Sequence, residues 1–301
     1  MASEHEHDTH YRIEHDPTPD QSTAVEAGAK RSPSLLDAPA TYGLLFLNLL
    51  WFAAMLRSGP YIADWHMHRF GSLLTDSFSI EALSFFGGCD ASLVLVHGQW
   101  IRVVTAAFIH MNPLHLLVNM WCLWNLGLLG EPLLGRRGLV AVYLLTGISG
   151  NLCSLAFDVF MRHDALVVGA SGAVFGIAGI LIVLLSNRKL SLPWNELRGL
   201  RRSVVQFAVL NLLIGIVPQV LMPAIPKAFN HLAVDLSPLA HIDNMAHLGG
   251  LACGLLMGLP LFPRMLVGRA GYRERQRITF AGTAFLLTLF AYSIVNFRGK
   301  P

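Results

Sequence analysis

Seven long apolar segments limit what this chain can fold into. A helix needs about 20 apolar residues to cross the hydrocarbon core of a bilayer. Segments of that kind lie near residues 41–57, 103–127, 139–160, 167–186, 203–222, 243–262 and 278–297. Of the 301 residues, 53% are apolar and 14% are charged, which does not suit a soluble globule. The sequence predicts an all-α, polytopic membrane helical bundle with about seven transmembrane helices, numbered here as crossings one to seven.

The basic residues are concentrated in alternate loops between these crossings. They are Arg136 and Arg137, then Arg188, Lys189, Arg198, Arg201 and Arg202, then Arg264, Arg269, Arg273, Arg275 and Arg277. Loops rich in Lys and Arg stay in the cytoplasm, so we expect the N-terminus inside and the C-terminus outside. The basic runs are interpreted as topology signals, and no nucleic-acid partner is predicted.

The chain divides into three predicted parts. Residues 1–40 are polar and are expected to form a disordered cytoplasmic tail without a cleavable signal peptide. Residues 41–262 hold six crossings, and residues 263–301 hold a cytoplasmic loop and an extra C-terminal transmembrane helix. The four cysteines form neither a disulfide framework nor a CxxC metal motif, so no metal is predicted.

Crossing four contains GASGAVFGIAG, with one serine among its glycines. Helical spacing places Gly169, Gly172, Gly176 and Gly179 on one face, beside Ser171. A neighbouring backbone can approach such a face closely. Ordinary packing of small residues between membrane helices would also explain these glycines.

Crossing six carries a matching pattern in HIDNMAHLGGLACGLLMG. His247 lies in line with Gly250, Gly254 and Gly258 on one face. Two glycine-faced helices can pack until their side chains touch, and a neutral imidazole beside a hydroxyl can make serine a nucleophile. A purely structural histidine is the alternative, although ionisable groups at this depth usually have a function.

Crossing two adds two polar side chains at a comparable depth. His115 and Asn119, in FIHMNPLHLLVNMW, are four residues apart and share a face. With Ser171 and His247 they fall in the outer leaflet of the expected topology. Imidazole and amide donors, with the amide of Ser171 at a helix N-terminus, are suited to stabilising a developing oxyanion. Hydrogen bonding to neighbouring helices is the alternative role for His115 and Asn119.

Together these motifs resemble the rhomboid family of intramembrane serine proteases. The matching elements are HxxxxHxxxN at His110, His115 and Asn119, GxSG at Gly169 to Gly172, AHxxGxxxG at Ala246 to Gly254, the Trp-x-Arg element at Trp100 and Arg102, and Glu131 with Gly135. The resemblance covers about residues 41–262, in the family's order and spacing. It implies a six-helix protease core, and the seventh crossing matches family variants with one added C-terminal helix.

The resemblance implies a role for each matching residue. Ser171 would be the nucleophile and His247 the general base and acid, in a dyad without a carboxylate. His115, Asn119 and the Ser171 amide would form the oxyanion hole. Phe175 matches an aromatic that packs on the histidine ring.

The remaining motif residues are expected to be structural. His110, Trp100 and Arg102 fall in this group. So does Glu131, which can pair with Arg136 or Arg137 at the cytoplasmic rim.

These observations predict an endopeptidase that cuts membrane-protein substrates, single-pass or other, in or near the outer end of a transmembrane segment. No cofactor or metal is required by such a mechanism. We expect an integral multi-pass protein of the bacterial inner (plasma) membrane whose active site opens to the outer face.

Three other classes of protein share some of these features. The alternative is a catalytically inactive rhomboid-like protein that binds membrane clients, although such proteins lack the serine or the histidine. A transporter or channel is less favoured, because the helix interiors carry no Asp or Glu. A metalloprotease would need HExxH and an aspartyl protease paired aspartates, and neither pattern is present.

Overall fold

The computed structural model describes residues 37–57, 77–162, 165–188, 190, 193–221, 242–262 and 268–298. The helices are α1 Pro39–Arg57, α2 Ile80–Phe85, α3 Ala91–Leu95, α4 Arg102–Thr105, a 3₁₀ turn Ala106–Phe108, α5 Pro113–Met161, α6 Ser171–Leu184, α7 Trp194–Leu221, α8 Asn244–Leu261 and α9 Arg269–Arg298. Within these ranges, Cys89 and Val167 form an isolated antiparallel β-bridge. The predicted all-α membrane bundle is confirmed. Residues 1–36, most of the expected N-terminal tail, lie outside the described residues.

Five of these helices, α1, α5, α7, α8 and α9, are long and apolar enough to cross a membrane. The 49-residue α5 is interrupted at Gly135, where φ is +73° and ψ is +164°. A Cβ at Gly130 would lie 3.5 Å from Leu139, although nine residues span roughly 13.5 Å in a straight helix. Helix α5 therefore folds back on itself and accounts for crossings two and three. Crossing four corresponds to α6, which at 14 residues is shorter than a typical crossing.

The start of crossing two differs from the prediction. Helix α5 begins at Pro113 instead of residue 103, because the Asn112 side chain accepts a hydrogen bond from His115 N at 2.7 Å and caps the helix. Residues 102–108 form two short turns before this cap. Helices α7 and α9 begin earlier than predicted, at residues 194 and 269, so their polar first turns extend beyond the apolar segments.

The start of crossing four was also wrong. Val167 pairs with Cys89, and Gly169 has a φ of +126°, a value that L side chains rarely adopt. Helix α6 consequently begins at Ser171. Gly169 does not belong to the glycine face of the helix, because it precedes the helix.

Helix α6 lies at the centre of the bundle. All residues from Gly172 to Leu181 are buried, mainly against α5 and α8. A helix that is apolar on all sides is stable only where neighbours surround it. By contrast, α9 is exposed along most of its length, as expected for a helix at the lipid boundary.

Glu131 fixes the position of α1 against α5. Its carboxylate is 3% exposed and accepts hydrogen bonds from Ala40 N at 3.0 Å, Thr41 N at 2.8 Å and the Thr41 hydroxyl at 2.8 Å. These are two of the free amides at the start of α1, where a negative charge is favourable. The predicted pairing with Arg136 or Arg137 was wrong, because the carboxylate faces the helix terminus.

Replacing Glu131 should therefore destabilise the fold. We expect Glu131→Ala to lower the free energy of unfolding by on the order of 3 kcal/mol, because it leaves buried donors without an acceptor. Glu131→Gln, which keeps one acceptor oxygen, should lose less. Thermal melting in detergent measures both, with the exposed Glu196→Ala in the first turn of α7 as the control. Equal melting temperatures for Glu131→Ala and Glu196→Ala would contradict this role.

Candidate active site

Helices α6 and α8 are in direct backbone contact. A Cβ added at Gly250 would overlap the carbonyl oxygen of Gly172, and one at Gly254 would overlap that of Gly176. Neither overlap can be relieved by rotating a side chain, because the obstacle is backbone. This is the close approach that the glycine spacing predicts, and it brings the N-terminal turns of the two helices together.

Ser171 is the first residue of α6, with Ala170 at the N-cap. Its amide is therefore one of the helix N-terminal N–H groups without an intrahelical partner. A Cβ at Gly169 would lie 2.8 Å from His115 Cε1, 2.9 Å from His115 Nε2 and 3.8 Å from Ser171 Oγ. The Ser171 hydroxyl and the His115 imidazole thus flank the same glycine, where no side chain fits.

His247 lies in the first turn of α8, which is capped by the Asp243 side chain accepting from Ala246 N at 2.9 Å. Its ring stacks on Phe175, with centroids 4.3 Å apart and planes at 16°. Ala246 approaches α6 as well, since a Cβ at Gly172 would lie 3.3 Å from its carbonyl oxygen. The chain neighbours of Ser171 and His247 are therefore in contact.

The His247 ring is held by packing more than by polar contacts. It is 6% exposed, and its Nδ1 atom has no hydrogen-bond partner in the described part of the chain. Phe175 itself packs on Phe207 of α7, with centroids 5.9 Å apart. A chain of aromatic contacts therefore orients the imidazole.

His115 and Asn119 lie one turn apart near the start of α5. The Asn119 side-chain amide donates to His115 O at 2.9 Å, and the His115 ring meets the His110 ring edge-on at 5.2 Å. His110 is fully buried in the segment before α5 and accepts from Ala170 N at 3.5 Å. Burial lowers the pKa of His110 well below its ordinary value.

One cavity of about 310 Å³ connects these groups. Its lining includes Ser171, His247, His115, Asn119 and Phe175. The five side chains that sequence analysis selected from three crossings therefore border one space.

The cavity also contains polar residues that the sequence analysis did not select. Asn151 of α5 donates to Val103 O at 2.9 Å, and Asn211 of α7 and Asp243 border the same space. Asn151 and Asn211 are amides inside predominantly apolar crossings, which is visible in the sequence, but their place beside the cavity depends on the fold.

Trp100 and Arg102 lie before α5, where Arg102 has a structural function. Its guanidinium donates to Ser84 O and Gly88 O, and its Nε donates to Gln99 Oε1 at 2.6 Å. These bonds fix the segment between α2 and α4, and none of the residues that they join lines the cavity.

Fold and cavity together define a polytopic helical membrane protein with a serine, two histidines and an asparagine around one internal space. The chain belongs to the rhomboid family: the rhomboid domain matches residues 97–264, more than half of the sequence.

Named relatives agree with this family. The chain is 31% identical over 189 residues to Rhomboid protease GluP of Bacillus subtilis (strain 168), covering 61% of this chain and 31% of that protein. It is 32% identical over 196 residues to RHOMBOID-like protein 1 of Arabidopsis thaliana, covering 65% and 43%. Rhomboid-like protease 2 of Toxoplasma gondii is 25% identical over 199 residues, covering 66% and 60%. The chain thus spans about a third to three fifths of the length of these relatives.

Proposed function

We propose that this protein is an intramembrane serine endopeptidase that cuts membrane-protein substrates in or near the outer end of a transmembrane segment. The observation that supports this most is the shared cavity. There Ser171 starts one helix, and His247 is held against Phe175 at the start of the helix packed on it.

In the proposed reaction Ser171 and His247 act as a dyad. The Ser171 oxygen attacks the substrate carbonyl carbon while His247 takes the hydroxyl proton. His247 then gives this proton to the leaving amine as the peptide C–N bond breaks. Water, deprotonated by His247, attacks the acyl-enzyme ester, and the proton returns to the serine oxygen as the ester bond breaks.

His115, Asn119 and the Ser171 amide are the proposed oxyanion donors. The negative oxygen of the tetrahedral intermediate needs two or three fixed donors in a water-poor site. The amide of Ser171 is fixed by α6, and the side chains of His115 and Asn119 border the same cavity. Gly169 is proposed to keep the space between His115 and Ser171 open, because any Cβ there would meet the His115 ring.

The environment of the reaction is part of the proposal. Water must reach the cavity from the outer face, and the substrate helix must unwind to present its carbonyl, so helix-weakening residues should be preferred near the cut. We place the protein in the bacterial inner membrane with residues 1–40 in the cytoplasm, residues 41–262 as the protease core and residues 263–301 as a loop with an added helix. No cofactor, metal or nucleic acid takes part in this reaction.

The proposal is tested by reconstituting the full chain in vesicles with several single-pass reporter proteins. We expect a cut in the outer part of the reporter helix, mapped by mass spectrometry, and covalent labelling of Ser171 by a fluorophosphonate. Reporters that remain uncut but co-purify with an unlabelled protein would overturn the protease assignment in favour of client binding.

Loss of one oxyanion donor is expected to lower the turnover of substrate without abolishing it. We expect Asn119→Ala to lower turnover by on the order of a hundredfold with little change in substrate affinity, because its donor acts on charge that develops only in the transition state. Initial rates at several reporter densities separate the two quantities. Asn125→Ala, which removes an exposed amide bonded to Trp121 O on the same helix, is the control. Near-normal turnover of Asn119→Ala would indicate that Asn119 contributes to helix packing and not to catalysis.

A further inference from the structure

A second and larger cavity lies where α5 folds back. It has a volume of about 720 Å³, and its lining includes Arg136 and Arg137 beside the break and Arg273, Gln276, Arg277 and Phe280 of α9. It is called here the arginine cavity. None of the groups proposed for catalysis borders it.

The walls of the arginine cavity are fixed by a polar contact between α5 and α9. The buried side chain of Gln276 donates to Leu134 O at 2.8 Å, just before the break at Gly135. Gly138 allows this approach, since a Cβ there would lie 3.0 Å from Gln276 Nε2. The two pairs of arginines are thus held around one space, although they are far apart in sequence.

The charge in the arginine cavity is unbalanced. Four arginines are among its lining residues, and no Asp or Glu is among the described ones. Arg277 lies 3.7 Å from Glu274, but both side chains are largely exposed, so this pair offsets little of the charge. A role as topology signals explains arginines in a loop, but it does not require two distant segments to share a cavity.

The position of the cavity matches the boundary of a bilayer. It lies at the end of the helices opposite Ser171 and His247, since residue 135 is roughly 30 Å along α5 from His115. Beyond Phe280, α9 presents exposed apolar side chains, among them Phe285, Leu286 and Leu289. A ligand here would meet guanidinium groups at one end and hydrocarbon-facing side chains at the other.

We propose that the arginine cavity binds the headgroup phosphate of an anionic phospholipid, with the acyl chains along α9. Guanidinium groups bind phosphate oxygens in a bidentate manner, and basic pockets between transmembrane helices bind anionic headgroups. The apolar side chains of α9 favour a lipid over a free phosphate ion. Lipid binding at this site does not depend on the proposed protease activity.

The experiment is native mass spectrometry of the full chain in detergent, titrated with phosphatidylglycerol, phosphatidylcholine or inorganic phosphate. We expect phosphatidylglycerol to bind more tightly than phosphatidylcholine. The variant Arg136→Gln/Arg137→Gln should weaken phosphatidylglycerol binding by about tenfold or more. The control Arg198→Gln/Arg202→Gln removes two exposed charges from α7 and should bind like the wild type.

Several outcomes would overturn this proposal. They are equal phosphatidylglycerol binding by the wild type and the Arg136→Gln/Arg137→Gln variant, an equal loss in the α7 control, or displacement of the lipid by inorganic phosphate at matched concentration. If the glutamine variant does not fold, Arg136→Lys/Arg137→Lys replaces it. That variant keeps the charge but loses bidentate geometry, so we expect a smaller but measurable loss, and unchanged binding would count against the site.

Discussion

Ser171→Ala is expected to lower the rate of reporter cleavage at least about a thousandfold while leaving the fold intact. The substitution removes the oxygen proposed to attack the substrate, and only substrate binding and the proposed oxyanion donors remain of the proposed mechanism. Ser171 is partly exposed at the first position of α6, so loss of its hydroxyl leaves the packing of that helix unchanged. Cleavage in reconstituted vesicles, at matched protein folding, gives the rate.

A second serine of the same region provides the control. Ser186 lies just beyond the other end of α6, where its hydroxyl donates to Ile182 O at 2.8 Å, outside the cavity. We expect Ser186→Ala to cleave at the wild-type rate. We expect His247→Ala to match the loss of Ser171→Ala, because Ser171 and His247 are proposed to act as one unit. Residual cleavage by Ser171→Ala within tenfold of the wild type would refute the nucleophile assignment.

Gly254→Leu is expected to lower cleavage at least about tenfold without changing any group proposed to contact substrate. A Cβ at Gly254 already overlaps the Gly176 carbonyl, so a leucine must push α8 away from α6. Overpacking of this kind costs about 1–3 kcal/mol or more, and it also separates His247 from Ser171. Gly250→Leu, which meets Gly172, should behave in the same way. Cleavage and thermal melting are measured on the same preparations.

The matched control is a glycine with open space around it. Gly282 of α9 has no atom within 4 Å of a Cβ position, so Gly282→Leu should retain both its activity and its melting temperature. The smaller substitution Gly254→Ala should have an intermediate effect, because its Cβ meets backbone. A folded Gly254→Leu variant with normal cleavage would show that α6 and α8 need no such contact.

The sequence was sufficient where a pattern is local. Apolar segments of bilayer length predicted the helical bundle, since each backbone must complete its hydrogen bonds within the membrane. Glycines at helical spacing predicted which faces of α6 and α8 approach each other. The motif order then pointed to the same family that the comparison of residues 97–264 shows.

The residues at which helices begin are harder to predict from the sequence, because hydrophobicity does not mark them. Residues 167–170 are apolar or small and match the pattern of a crossing, yet the bridge from Val167 to Cys89 and the positive φ of Gly169 delay the start of the helix to Ser171. Asn112 is similarly a cap whose effect depends on one side-chain hydrogen bond. Such contacts outweigh the average hydrophobicity of the segment.

Hydropathy and residue spacing are enough to predict that the chain spans a membrane as helices and that glycines allow two of these helices to pack closely. Three other features depend on the fold: the partners of Glu131, the place of Asn151 and Asn211 beside the cavity, and the meeting of four arginines from α5 and α9. The physical reason is that helical periodicity is fixed by the backbone and can be read along one chain. The partner of a polar side chain depends on which helices become neighbours, and the fold of α5 at Gly135 sets that arrangement in three dimensions.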